Sequence, residues 1–206
     1  MRVRPLSVTA LVSELADRIA AHAPERRLAV AVDGPAAAAP GRLAGALVDP
    51  LRVRGRAARH VPAEGFLRPA SLRLELGRTN PDSFYERWLD EPALRREVLE
   101  RLAGGRVLPS LWDPVTDRAT RAEYVDVPPG GVVLVSGALL LGASLVFDLA
   151  VHLWLSPAAR RRRTPPEQRW TLPAFDRYDR EVTPWAVADV VVRADDPARP
   201  AVVDHL

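Results

Sequence analysis

Leu28-Ala29-Val30-Ala31-Val32-Asp33-Gly34-Pro35-Ala36-Ala37-Ala38-Ala39-Pro40-Gly41-Arg42 is the stretch on which the reading of this chain turns. The run from Arg27 to Val32 is apolar and carries the two valines Val30 and Val32, as a buried strand does. A Gly/Ala/Pro-rich turn follows, and a helical stretch begins at about Arg42, so the order is strand, loop, helix. Upstream, Ser7 is placed to cap a helix whose apolar positions Val8, Leu11, Val12, Leu15 and Ile19 recur every three or four residues. Downstream, Ala57 to Val61 reads as a second strand leading to the turn Glu64-Gly65-Phe66. Glu91 to Ala103 reads as a helix stopped by Gly104 and Gly105. Arg106 to Trp112 and Tyr124 to Val127 form a small excursion. Val132 to Ser136 and Leu149 to Leu155 are nearly continuous apolar strands of the kind buried on both faces, and Asp189 to Arg193 is the last strand. Strands alternating with helices predict an α/β fold with a mostly parallel sheet and right-handed crossovers, whose ligands sit at the carboxyl ends of the strands.

The composition agrees with one ordinary domain. The chain has 206 residues, 48% of them apolar and 27% charged, enough for a single well-buried core. It contains no cysteine, which excludes disulfides, thiol catalysis and cysteine-ligated metal sites, and the expected compartment is the cytoplasm. Lysine is absent too, so all 29 basic residues are arginine. The sequence pI of 10.1 overstates basicity, because the net charge is only +3 and charge alone gives little support to nucleic-acid binding. Arg2 and Arg4 are followed by Glu14, Asp17 and Arg18 at helical spacing, unlike the apolar core of an export signal. The uncharged run Gly130 to Phe147 contains interior glycines and ends at Asp148, so two buried elements account for it better than a membrane span.

The small-residue turn invites comparison with the phosphate-binding pattern G-x-x-x-x-G-K-[ST]. In that pattern glycines let backbone N–H groups curl around phosphate, lysine balances its charge and the hydroxyl holds magnesium. Here Gly34 keeps the first glycine, while Ala39 stands at the second, Pro40 at the lysine and Gly41 at the hydroxyl, with Arg42 the nearest cation. If a retained loop conformation needs a positive φ at an alanine, each such residue costs about 1 to 2 kcal/mol, and Pro40 also removes a backbone donor.

Taken in order, about 170 residues from Leu28 to Val202 resemble the uridine kinase branch of the P-loop kinases. Val30-Ala31-Val32-Asp33-Gly34 is similar to that family's first strand and loop entry, and Glu64-Gly65-Phe66 falls where the family has an aspartate two before an aromatic. Asn80-Pro81-Asp82-Ser83-Phe84-Tyr85 with Asp90 resembles the segment before the substrate-side helix. Trp112-Asp113 with Arg118 and Arg121 resembles the aromatic-aspartate and arginine that face the nucleoside. Arg160, Arg161, Arg162 and Arg163 follow a strand as the family's lid arginines do, and Asp195-Asp196-Pro197 resembles the loop near the adenine pocket. Ser136 stands where the family strand ends in a carboxylate.

The resemblance implies a P-loop kinase-like three-layer sandwich over residues 1–206, with a helical extension at about 7–23, a core at about 28–202 and a lid at about 157–170. It implies Glu64 as general base and Arg42 as the surviving cation, both catalytic. It implies a phosphate loop of Gly34, Ala38, Ala39, Pro40 and Gly41, nucleoside contacts from Asp90, Trp112, Asp113, Arg118 and Arg121, and ATP with Mg²⁺ as cofactors if the chain is active, otherwise none. The expected partner is a nucleoside or nucleotide, with no nucleic acid and no membrane, and self-association is left open.

Two functions follow from this reading: a nucleoside kinase impaired by the lost loop residues, or a non-catalytic nucleotide-binding or scaffold protein. A serine hydrolase is set aside because no G-x-S-x-G occurs and Ser136 and Ser144 lie in an apolar run. A metal site is set aside because His22, His60, His152 and His205 are scattered, and His152 reads as a structural residue of a buried strand.

Overall fold

Seven strands make one sheet in the computed structural model, which describes residues 2–142 and 144–204. In chain order the main elements are β1 (Arg2–Pro5), α1 (Val8–Ala21), β2 (Leu28–Asp33), α2 (Pro40–Val53), β3 (Ala58–Pro62), α3 (Pro81–Arg87) and α4 (Glu91–Leu94). There follow β4 (Val132–Gly137), β5 (Leu149–Trp154), α5 (Pro157–Arg163), α6 (Leu172–Glu181), β6 (Val190–Arg193) and β7 (Ala201–Asp204). The strand order is β1-β7-β6-β5-β2-β4-β3. The five strands from β6 to β3 are parallel, and β7 and β1 are added antiparallel at one edge. β2 lies between β4 and β5, and the chain builds outward from it in opposite directions. The carboxyl end of β2 is therefore the point where such sheets open a crevice for ligands.

The alternation of β2 explains the three layers. Leu28, Val30 and Val32 face the layer of α1 and α2, packing with Leu15, Ile19, Leu47 and Leu51. Ala29 packs on the opposite side, in a cluster with Phe66, Leu94 and Val98. Ala31 joins Ala150, Val191 and Tyr178 of α6. The residues of β2 are all buried, as expected for a strand covered on both faces. Ser7 caps α1 as its sequence predicts, its hydroxyl accepting from the Ala10 amide at 3.1 Å.

Several elements differ from the sequence expectation. β1 and β7 were not foreseen, and the last strand is Ala201–Asp204 rather than the one near Asp189 to Arg193. Both are four-residue strands, β1 at the sheet edge and β7 beside it, that pair with each other across nearly the whole chain, so local patterning carries little trace of them. Among its described residues, the run from Gly130 to Phe147 holds one strand, β4, followed by bends rather than a second regular element. α4 continues as a π-helical turn over Arg95–Glu100. There the Glu97 carbonyl accepts the Leu108 amide at 3.0 Å from outside the helix. The excursion is present as two short antiparallel pairings, Arg106–Val107 with Val125–Asp126 and Trp112–Asp113 with Arg118–Ala119.

Candidate active site

At the carboxyl end of β2 the chain leaves the sheet through Gly34, whose φ is +155° and where a Cβ would stand 2.9 Å from the Leu153 carbonyl oxygen. No larger residue fits there without moving β5. Ala36–Ala38 form one 3-10 turn, Ala39 is left-handed at φ 58° and ψ 54°, and Pro40 opens α2. Of the loop's alanines, Ala39 is the one that takes the positive φ. Pro35 and Pro40 have no N–H to offer an anion, and the amides of Ala38 and Ala39 donate to the carbonyls of Pro35 (2.7 Å) and Ala36 (2.9 Å). Because glycine visits this conformation without a Cβ penalty, Ala39→Gly is expected to stabilise the protein by about 1 kcal/mol in a urea denaturation series. In most helical or extended positions the same change destabilises.

Beneath the first turn of α2, His60 Nε2 and Ser136 Oγ share a hydrogen bond of 2.7 Å. Both lie close under Gly41. Desolvation pushes the imidazole of His60 down from its ordinary value, so the ring is neutral there at neutral pH. The donors around the loop do not suit Mg²⁺. Ser136 is engaged with His60, and the carboxylate of Asp33 is buried and already meets His152, Tyr178 and the Leu140 amide. No group of three or more His, Asp or Glu side chains fit to hold a metal occurs among the described residues.

Asp33 is the centre of a buried network that the sequence did not reveal. In register, Asp33 of β2 lies beside His152 of β5 and Gly137 of β4. Its Oδ2 sits 2.7 Å from His152 Nδ1 and accepts from the Tyr178 hydroxyl at 3.1 Å, while Oδ1 accepts the Leu140 amide at 2.9 Å. Tyr178 also accepts the Leu141 amide at 2.9 Å. Burial first, and then the adjoining Asp33 carboxylate, push the phenol well above its usual range. The entry of the loop, β5, the turn after β4 and α6 are thereby tied together.

The arginine run after β5 divides. Arg160 is buried and bonds Asp176 at 2.7 Å and Asp179 at 2.9 Å. Arg161 and Arg162 are exposed, and Arg163 donates to the Ala194 carbonyl. The segment after β5 is packed down on the loop entry: Gly34, Pro35, His152, Arg160 and Tyr178 enclose a void of only ≈ 10 Å³, about one water's worth of room. It is also held against α3. Trp170 and Phe175 join Phe84 and Trp88 in a ring cluster with centroids 5.3 to 5.9 Å apart. Arg177 bridges to Glu86 at 2.8 Å and Asp82 at 3.4 Å.

Two open clefts flank this arrangement. One, of ≈ 250 Å³, lies beside the loop and α2; its charged lining residues are Arg42 and Arg163, and Leu11 of α1, Leu43 and Pro197 are among its apolar walls. The other, of ≈ 200 Å³, is lined by Glu64, Phe84, Tyr85, Trp88, Leu139 and Glu91. Glu64 reaches solvent from a 3-10 turn (Ala63–Phe66), yet the cleft walls desolvate its carboxyl and push it above the usual glutamate value.

Of the residues expected to face a nucleoside, none lines the Glu64 cleft. Asp90 caps α4, accepting the Ala93 amide at 3.1 Å. Trp112 donates to Asp117 at 3.0 Å. Asp113 accepts from the Thr116 hydroxyl (2.6 Å) and the Val115 amide (2.9 Å), which hold its carboxyl below the usual aspartate range. Arg118 and Arg121 are exposed. Their hairpin adjoins the Glu64 turn, since the Leu111 amide donates to the Gly65 carbonyl at 2.8 Å. Sequence reasoning placed these residues near the cleft and missed Trp88 and Glu91 in its wall. Phe84 and Tyr85 stood in a quoted segment but without a role.

Solved structures supply the comparison. A structure from Bacillus stearothermophilus described as a possible uridine kinase superposes with a TM-score of 0.73 at 20% identity, covering 89% of this chain and 98% of that one. The fold is that of the P-loop kinases. A protein from Silicibacter sp. TM1040, described as a candidate fructose transport system kinase, superposes with a TM-score of 0.56 at 23% identity, covering 94% of this chain and 96% of that one. The YGR205w protein gives 0.56 at 11% identity, covering 86% and 79%. No family model and no curated protein matches the chain. No helix among the described residues is long and apolar enough to cross a membrane.

Proposed function

We propose that this protein is a uridine-kinase-like domain that holds a nucleoside-type acceptor in the Glu64 cleft and an adenine nucleotide in the Arg42–Arg163 cleft, with phosphoryl transfer reduced to a residual level. The observation that carries the reading is the presence of two clefts, one beside the loop with Arg42 and Arg163 in its wall and one lined by Glu64 and aromatic rings, with proline where a phosphate loop has lysine. On the nucleotide side, Arg42 and Arg163 supply charge for phosphate oxygens and the apolar wall suits a base. On the acceptor side, Glu64 is the carboxylate in reach of a hydroxyl proton, and its raised pKa brings it nearer the value a general base needs at neutral pH.

What is missing is charge stabilisation of the transferring group. Magnesium, where a kinase binds it with ATP, neutralises the phosphate oxygens, and the donors around this loop do not suit it. A single preorganised donor is worth about 10² to 10³ in rate. With ATP, Mg²⁺ and uridine, turnover is therefore expected at or below about 0.01 s⁻¹, against a typical enzyme value of about 10 s⁻¹. A coupled assay reading near 1 s⁻¹ would refute the impairment. If Glu64→Gln left such residual transfer unchanged, Glu64 would not be its base. The non-catalytic reading is favoured over the kinase reading to the extent that no transfer is seen while ligands still bind.

A further inference from the structure

The charge of the acceptor cleft narrows what it accepts. Phe84, Tyr85, Trp88 and Leu139 give apolar and aromatic walls, and among the described residues the only charged groups lining the cleft are the carboxylates of Glu64 and Glu91. In a chain with 29 arginines, neither is paired with one among the described residues. The neighbouring carboxylates Asp82, Glu86 and Glu181 share a single cation, Arg177. Arg177, which also stacks over Tyr85 at 4.4 Å, is thus committed and brings no surplus positive charge to the cleft.

We propose that this cleft selects an acceptor carrying a positive charge, an aromatic or heterocyclic amine, and rejects phosphorylated ones. The inference rests on the proposed acceptor role of the cleft and deepens it. Aromatic faces attract organic cations, and two uncompensated carboxylates in a partly desolvated cleft strengthen that attraction while repelling a phosphate. The desolvated carboxylate of Glu64 has the most to gain from a cationic partner. A volume of ≈ 200 Å³ suits one ring with its amine arm.

The test is calorimetric titration of the full chain with two matched pairs of probes. Tyramine and 3-(4-hydroxyphenyl)propionate share a ring and differ in charge, and 5′-amino-5′-deoxyuridine and uridine 5′-monophosphate do the same on a nucleoside, with uridine as the neutral reference. Tyramine is expected to bind about tenfold or more tighter than the propionate, and the aminonucleoside tighter than uridine by about the same factor. Glu64→Gln and Glu91→Gln should each remove about threefold or more of that preference without changing the melting transition. Selective tyramine binding with no nucleoside binding would uphold the charge preference and sink the nucleoside reading. Uridine binding as tightly as its amine, with tyramine no better than the propionate, would overturn the charge preference and leave the nucleoside reading standing.

Discussion

Ala39→Gly, Pro40→Lys and Gly41→Thr, introduced together, are expected to raise the rate of phosphoryl transfer from Mg-ATP by a factor of about 10³ or more, the largest effect foreseen for any change in this protein. The backbone is prepared for the change. Position 39 already has φ 58°, a conformation glycine adopts freely. A Cβ at position 41 would meet Ser136 Oγ at 3.6 Å and the His60 ring at 3.9 Å, ordinary contact distances. Lysine at position 40 restores both a side-chain cation and a backbone donor to the first turn of α2. The triple variant and the natural protein would be compared by single-turnover kinetics with uridine as acceptor. A triple variant that folds, binds ATP and remains as slow as its parent would show that the loop is not what limits transfer.

Asp33→Ala is expected to destabilise the fold by about 3 to 5 kcal/mol. The carboxylate is completely buried and meets His152, the Tyr178 hydroxyl and the Leu140 amide. Removing it leaves two or three buried polar groups without a partner, each worth about 1 to 3 kcal/mol. Urea unfolding read by tryptophan fluorescence measures the loss. Asp33→Asn keeps the volume and an acceptor, and should cost clearly less. A loss under about 1 kcal/mol for Asp33→Ala would mean that water or rearranged partners satisfy these groups, and that the network does not hold the loop entry to α6.

The contrast between Asp33 and Glu64 shows where the sequence was informative. β2, the loop and α2 are contiguous, so apolar alternation and small-residue punctuation between Leu28 and Val53 made them legible, as did Ser7 at the start of α1. Asp33 was read only as the last residue before a glycine. Its partner His152 is 119 residues away, and only the parallel register of β2 with β5 brings the two together. β1 and β7 were illegible for the same reason. The Arg160 to Arg163 run looked uniform in sequence, yet one turn of helix buries Arg160 among the carboxylates of α6 and points Arg161 and Arg162 to solvent. Glu64 was singled out only through a family resemblance, and the aromatic wall around it depended on the packing of α3 against the segment that carries Trp170 and Phe175.

Calorimetric titration with ATP, once with excess Mg²⁺ and once with the metal chelated, bears most directly on the central claim that arginines rather than a magnesium-bearing loop hold the nucleotide. The account predicts affinities equal within about twofold in the two conditions, and loss of binding in Arg42→Ala and Arg163→Ala. Binding tightened about tenfold or more by the metal, or indifferent to both arginines, would contradict it.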